Sequence, residues 1–312
     1  MLDFQPLTLD IKETVDSYTF KYGENSCQHS FVSSFCLYGK YGDMFCESEN
    51  FLFTLRSKRY KDGERVYLFP MGNFEDSYGM KNALEKIFDD AHSKNCRVKF
   101  ETLTERAKNA VTEFFPGKFF IESSRGYAEY VYKTEKLINF PGKELARKRQ
   151  YVNKFLRDFG DRLQVQKIRP EHFEKIKIFQ SEWLAFKNSI DKDPEHQAQL
   201  KIEDEEINIA LENFNTLGLS GIILLIDGNV KGYFLGSPLS ENCFNDIVNK
   251  ADRNIQGIYH VLVREFLKNC CAGYEYINRQ EDLGVAGLRK IKTEYKPDFL
   301  INKFILREIG EH

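Results

Sequence analysis

The chain has 312 residues, which at one domain per roughly 100 to 200 residues predicts about two domains. Hydrophobic residues make up 42 % and aromatics number 44 (27 Phe, 16 Tyr, 1 Trp), enough for two cores, so disorder is excluded as the main state. Forty-five Lys and Arg against 47 Asp and Glu give a net charge of −2, which leaves no global field for nucleic acid or anionic lipid.

The opening MLDFQPLTLDIKE has neither a basic nor an apolar leader stretch and reads as neither signal nor transit peptide. With a mean hydropathy of −0.49 and no apolar run longer than Gly221–Ile226, the expectation is a cytoplasmic protein without a membrane span. The first patterned segment is a hairpin, Glu49–Ser57 and Glu64–Gly72, turning at Lys61-Asp62-Gly63. After Gly79 come a helix (Met80–Lys94), a strand (Cys96–Thr102), a helix (Thr104–Phe115), Pro116 and a strand (Lys118–Ser123). Residues 142–160 form a helix with the apolar stripe Leu145, Val152, Phe155, Leu156 and Phe159. Lys143, Arg147, Lys148, Arg149, Lys154 and Arg157 crowd the rest of it. That surface reads either as a solvated face or as a phosphate-binding one, for which guanidinium groups are suited.

The second half repeats the order of the first at an offset of about 180 residues, with Gly257 in the place of Gly79 and Pro297 in that of Pro116. A hairpin turns at Asp227-Gly228, and a central strand runs from Phe244 to Asp252. An amphipathic helix follows from Gly257 to Cys270, then a strand at Tyr274–Asn278 and a polar loop at Arg279–Gly284. Next comes a helix with Leu288, Ile291 and Tyr295 on its core face, and the last predicted strand is Asp298–Glu308. The domains predicted are 1–141, a basic connecting helix 142–160, and 161–312. Seven cysteines without paired spacing indicate core thiols, not a disulfide framework or a metal site.

Strand, glycine-entered helix, strand, helix, strand is similar to the GNAT acyltransferase fold, and two such units in one chain resemble the Fem and lysylphosphatidylglycerol synthase enzymes. The residues Lys250–Arg253 (KADR), Gly257–Tyr259 (GIY), Tyr276–Pro297 and Ala146–Phe155 resemble the signature stretches of soluble proteins grouped with the C-terminal domain of phosphatidylglycerol lysyltransferase. The resemblance implies an α/β fold of two tandem GNAT-like mixed-sheet domains and acyl or aminoacyl transfer to an amine or hydroxyl acceptor. The alternative is a non-catalytic protein of the same fold that binds a ligand or tRNA. Members of the GNAT fold hold the coenzyme A pyrophosphate on amides at a helix N-terminus. Here Arg253 stands one residue early and Tyr259 replaces a small residue, so acetyl-coenzyme A fits less well than aminoacyl-tRNA as donor.

Asp252, Glu281 and Arg279 are the candidate catalytic residues. Glu281 suits a general base or a cradle for an ammonium group, Arg279 a carboxylate or phosphate clamp, and the two together an internal ion pair. Lys250, Arg253, Gly257, Tyr259, Asn278, Asp282, Arg289, Lys292, Arg147 and Arg149 are the candidate donor- and substrate-binding residues. Asp282 also reads as the N-cap of the helix that follows it. By the period of two, Asp246 shares a strand face with Lys250 and Asp252. The acceptor is expected to be a small molecule or peptide, with tRNA as a further partner, and no cofactor or metal is called for.

Overall fold

The computed structural model describes residues 2–61 and 63–310. By contact density the chain forms two units, the first of Met1–Tyr130, Gln280–Lys292 and Phe299–His312, the second of Val131–Arg279 and Thr293–Asp298. These units interleave along the sequence, whereas the sequence reading divides the chain into contiguous halves around 142–160.

In the first unit β1 (Gln5–Pro6), α1 (Lys12–Tyr22), α2 (Phe31–Cys36) and α3 (Tyr38–Tyr41) lead into β2 (Asp43–Ser48), β3 (Phe51–Arg56) and β4 (Glu64–Tyr67). The expected hairpin is present as the antiparallel β3 and β4, while its turn residue Asp62 lies outside the described residues. Helix α4 (Ser77–His92) carries β4 to a parallel β5 (Arg97–Leu103), and α5 (Glu105–Phe114) leads to β6 (Phe119–Ser123). Met80, Ala83, Leu84, Ile87, Phe88 and Ala91 of α4 are buried, the i, i+3, i+4, i+7 stripe that turns one helix face to a core. They pack with Phe53, Tyr67, Val98, Phe100, Phe119 and Leu306, each large apolar side chain contributing roughly 1.5–3 kcal/mol by burial. The sheet order is β1-β2-β3-β4-β5-β14-β6, where β14 is Phe304–Glu308 and pairs antiparallel with both β5 and β6. The predicted strand Asp298–Glu308 is therefore two strands, β13 (Phe299–Ile301) and β14, interrupted at Asn302-Lys303. The interruption turns Lys303 inward, where its Nζ lies 2.7 Å from Glu129 and both side chains are wholly buried.

The second unit begins in β7 (Glu129–Lys133), α6 (Thr134–Asn139) and α7 (Ala146–Phe159), followed by β8 (Leu163–Lys167), α8 (Phe173–Ile190) and α9 (Pro194–Glu212). Strands β9 (Ser220–Ile226) and β10 (Asn229–Pro238) form the predicted two-residue hairpin. Asp227 and Gly228 sit at φ 52° and 78°, the backbone this turn requires. Helix α10 (Ile258–Cys270) joins β11 (Cys243–Ala251) to a parallel β12 (Tyr276–Asn278), and the strands run in the order β7-β12-β11-β10-β9-β8. Each unit thus has a parallel pair bridged by one amphipathic helix, with an antiparallel strand from elsewhere in the chain inserted beside it. The fold class is α/β with two mixed sheets, the arrangement that the resemblance to tandem GNAT-like proteins implies. Among the described residues no helix is long and apolar enough to cross a membrane.

Three local expectations fail. Gly257 is the N-cap of α10 at φ 89°, whereas Gly79 sits inside α4, donating its N–H to the capping Asp76 at 2.9 Å, so the two glycines are not equivalent. Helix α11 (Ala286–Glu294) leaves Leu288 42 % and Ile291 53 % exposed and turns Arg289 and Lys292 inward. It does so because the Asp282 carboxylate and the Glu281 carbonyl of the preceding loop need donors. Finally, the β10–β11 register slips between Leu235 and Gly236, so that Ile247 is an extra residue in β11. Asp246 therefore shares a face with Asn249, whose Nδ2 donates to it at 3.0 Å, and not with Lys250.

Candidate functional site

In the first unit the loop Gln280–Gly284 is held in an unusual backbone, with Gln280, Leu283 and Gly284 at φ 56°, 51° and 80°. Asp282 holds it there. Its fully buried carboxylate accepts from Arg289 Nε and Nη2 at 2.8 and 2.9 Å, Arg125 Nη1 at 3.1 Å, Tyr130 Oη at 2.6 Å and the Gly284 N–H at 2.9 Å. Burial alone would raise this carboxyl, but the hydrogen bonds from Arg289, Tyr130 and Gly284 outweigh it and bring it to about 2. Asp282 therefore ties the loop to three other segments and does not cap α11, whose first residue is Ala286. Lys292 Nζ donates to the Glu281 carbonyl at 2.5 Å, fixing the backbone on the other side of Asp282.

Glu281 then lines a small cleft with Cys27, Gln28, Ser34, Tyr41, Asp43 and Arg56. Its carboxylate contacts are long: Gln28 Nε2 donates to Oε1 at 3.3 Å and the Cys27 thiol to Oε2 at 3.6 Å. Burial, then the negative charge of Glu129, raises the Glu281 pKa above its ordinary value. The Cys27 thiol is pushed far up by burial and by Glu129, so it stays protonated and is a poor nucleophile. Behind Glu281, Arg56 donates from Nη2 to Gln28 Oε1 at 2.9 Å and lies 4.1 Å from the Tyr41 ring centre. It also faces Asp43 at 3.6 Å and Glu101 at 3.5 Å. The Asp43–Arg56 pair follows from strand register, since the two residues stand opposite each other in β2 and β3. Ser34 Oγ donates to the other Asp43 oxygen at 2.7 Å. Nearby, Glu129 accepts from the Cys27 N–H at 3.0 Å and from Ser26 Oγ at 2.9 Å. Of these cleft residues sequence reasoning found only Glu281. Arg56, a charge closing the apolar run FLFTLR, was the one available signal for the rest.

The second unit holds most of the other sequence candidates, in separate clusters. Arg279 is buried against Asp246, its Nε 2.9 Å from Oδ2, with its guanidinium 5.2 Å from the Tyr295 ring centre. It pairs with Asp246 and not with Glu281, and it does not line the Glu281 cleft. Asn278, fully buried, closes β12 opposite Asn245 of β11. Lys250 bonds Glu203 at 2.7 Å and lies over the Trp183 ring at 4.0 Å, with Arg253 over the same ring at 5.3 Å. Asp252 pairs with Lys231 at 3.2 Å and accepts from the Asn254 N–H at 3.0 Å. A Cβ at Gly257 would lie 2.7 Å from the Tyr151 carbonyl oxygen, so this glycine admits the backbone of α7. The first α10 amides are taken internally, Ile258 N–H by Ile255 and His260 N–H by Gly257, with the half-buried Tyr259 between them. On α7 itself Arg149 donates to the Phe140 and Gly142 carbonyls, Lys148 pairs with Glu294 at 3.0 Å and Arg147 donates to Tyr151 Oη at 2.9 Å. Much of the basic helix is thus committed to local structure. Among the described residues no cluster of His, Cys, Asp and Glu has the arrangement of a metal site.

Comparison with known proteins agrees with this architecture. A conserved protein of unknown function from Bacteroides thetaiotaomicron matches with a TM-score of 0.90 and 28 % identity, over 99 % of this chain and all of that one. The structure of L-PGS from Bacillus licheniformis matches with a TM-score of 0.66 and 15 % identity over 99 % of this chain and 94 % of that chain, a likeness of fold. An uncharacterized protein of Mycoplasmoides gallisepticum is 22 % identical over 180 residues, 58 % of this chain and 56 % of that relative's length. The family model described as phosphatidylglycerol lysyltransferase, C-terminal, matches residues 20–307, and with nearly the whole chain covered the protein belongs to that family.

Proposed function

We propose that the chain is an acyltransferase that moves an activated aminoacyl group from aminoacyl-tRNA to a soluble amine or hydroxyl acceptor, with Glu281 as the base. The observation that carries this reading is the Glu281 carboxylate, half-buried at a cleft, raised in pKa and held by long contacts of 3.3 and 3.6 Å. Such a group has acceptor capacity left for an incoming N–H or O–H. In the reaction Glu281 takes that proton as the acceptor's nitrogen or oxygen bonds to the acyl carbon. The carbon–oxygen bond to the donor breaks, and the proton passes from Glu281 to the departing hydroxyl. Asp282, with Arg289, Arg125 and Tyr130, positions Glu281 through the loop backbone.

Membership of the family supports acyl transfer, and the printed name of the family supports an aminoacyl donor. Coenzyme A is the poorer donor because the backbone of α7 lies against Gly257 at the α10 N-terminus and the Ile258 and His260 N–H groups there are already bonded. A soluble acceptor is favoured because the cations of α7 are engaged by Glu294, Tyr151 and backbone carbonyls, leaving few to gather on an anionic lipid surface. The test is transfer of a radiolabelled amino acid from aminoacyl-tRNA to a panel of amines, alcohols and phosphatidylglycerol vesicles. Label should appear on a soluble acceptor, and Glu281→Gln should abolish it with the thermal melt unchanged. Binding of charged tRNA without turnover by any acceptor would favour a non-catalytic binding protein, and label on the vesicle lipid would overturn the soluble acceptor.

A further inference from the structure

Leu37, Tyr41 and Arg56 line the Glu281 cleft, and their neighbours in sequence, Tyr38 and Lys40 of α3 and residues 57–61 after β3, form a second surface beside it. The two segments are tied together: the Ser57 N–H and Oγ both donate to the Gly42 carbonyl, at 3.2 and 2.7 Å, and Lys58 Nζ donates to the Gly39 carbonyl at 3.3 Å. This surface interleaves tyrosine rings with cations. Tyr38 and Tyr60 are 37 % and 60 % exposed, Lys58 Nζ lies 5.0 Å from the Tyr38 ring centre, and Lys40 Nζ lies 4.7 Å from that of Tyr41. Arg59 gives one nitrogen to the buried Glu101 at 3.2 Å while its side chain stays 40 % exposed. Among the described residues neither Lys40 nor Lys58 has an acidic partner. A third ring, Tyr127, has Tyr41, Lys40 and Arg59 for electrostatic neighbours, and the Gly126 carbonyl before it accepts from the Leu283 N–H of the Glu281 loop at 2.8 Å.

We infer that this surface docks the unpaired end of an RNA, with bases stacked on Tyr38 and Tyr60 and phosphates met by Lys40, Lys58 and Arg59. The chemistry selects this occupant. Rings set among uncompensated cations match a strand that offers flat π-faces and phosphates in alternation. Bases inside a duplex are stacked on one another and cannot reach such rings, so the surface suits single-stranded nucleotides. An anionic membrane is the poorer match, because peripheral surfaces bury Trp, Phe or Leu beside their cations and no Leu, Ile or Phe of these segments is exposed. An acidic peptide would use the cations and leave both rings idle. The inference rests on the reading of aminoacyl-tRNA as donor and adds to it the surface and the mode of contact. An acyl group carried on a 3′ end held here would lie beside the cleft that Glu281 lines.

Fluorescence anisotropy with a labelled short single-stranded RNA ending in CCA, and with a blunt RNA duplex, tests this, alongside sedimentation on phosphatidylglycerol vesicles. The single strand should bind about tenfold more tightly than the duplex, and Tyr38→Ala and Tyr60→Ala should each weaken it by about tenfold. Tyr60→Phe should keep the wild-type affinity, since the ring and not the hydroxyl is used. With three phosphates met, log affinity should fall against log salt with a slope of about −2, and Lys58→Gln should flatten that slope by about 0.7. Circular dichroism melts check that each variant is folded. A wild-type chain that does not bind the single strand, binds the duplex equally well, or is indifferent to both tyrosine variants overturns the inference. So does vesicle binding that Lys58→Gln abolishes, which would give the surface to lipid. Transfer from aminoacyl-tRNA at the wild-type KM in the Tyr38→Ala, Tyr60→Ala double variant overturns the docking surface and leaves the transferase reading standing. Tyrosine-dependent RNA binding without transfer to any acceptor does the reverse.

Discussion

Asp282→Asn is the sharpest test of how the Glu281 loop is held. The carboxylate is fully buried and receives five hydrogen bonds, three of them from two arginines. An asparagine keeps one acceptor oxygen but turns an N–H₂ toward Arg and Tyr donors. Removing one partner of a buried ion pair costs about 3–5 kcal/mol. Arg289 and Arg125 are 40 % and 44 % exposed, so water recovers part of this, and we expect a loss of roughly 2–3 kcal/mol. At about 2 °C per kcal/mol for a chain of this size, the thermal midpoint should fall by about 4–6 °C. The same carboxyl predicts the pH dependence. Its pKa is depressed to about 2, so its contribution is fully present above the ordinary carboxylate range and is lost as pH falls through about 2. Urea unfolding of both proteins should show a gap that is constant from about pH 5 to 8 and narrows by about 1–2 kcal/mol between pH 4 and 2. A gap under about 0.5 kcal/mol at pH 7, or one that does not narrow in acid, would refute the reasoning.

Gly257→Ala should cost about 2 kcal/mol or more in urea unfolding, since it places a Cβ at φ 89° and 2.7 Å from the Tyr151 carbonyl oxygen; a neutral effect would mean α7 does not bear on α10 as described. Lys303→Met should destabilise by about 3–5 kcal/mol by stranding the buried Glu129, and adding Glu129→Gln should recover part of that loss, the recovery being the decisive reading. The pH–rate profile of transfer should rise with pH through a midpoint above the usual glutamate value of about 4.3, because burial and Glu129 favour the protonated form of Glu281; a midpoint at or below that value would remove Glu281 as the base.

What the sequence discloses of the fold is what local periodicity can encode. The buried stripes of α4 and α10 and the Asp227-Gly228 turn are read correctly because neighbours in the chain decide them. The fate of Asp298–Glu308 is not, because nothing within DFLINKFILRE says that Lys303 will find Glu129 or that β14 will enter the sheet between β5 and β6. Helix α11 fails for a related reason. Leu288 and Ile291 have the spacing of a core face, yet the Asp282 carboxylate and the Glu281 carbonyl require donors, and desolvating unpaired polar groups costs more than exposing two aliphatic side chains. The bulge at Ile247 moves Asp246 away from Lys250 in the same manner, one inserted residue cancelling an inference that rests on strict alternation.

The candidate site shows the same boundary between local and distant information. A charged loop after β12 marks Arg279, Glu281 and Asp282 as residues to watch, but three near-neighbours in sequence have three separate occupations: Arg279 in an ion pair with Asp246, Glu281 in a cleft, and Asp282 in a backbone-holding hub. Gly257 is singled out as a donor-binding residue at the α10 N-terminus, while in the structure its missing Cβ admits the Tyr151 backbone of α7. The physical requirement at each position is legible in the residue type, while the group that meets it is fixed by pairings up to 254 residues apart, such as Cys27 with Glu281. The chemistry of Glu281 depends on that distant company. Burial and the like charge of Glu129 raise its pKa, and the balance leaves a proton acceptor that titrates above its ordinary value.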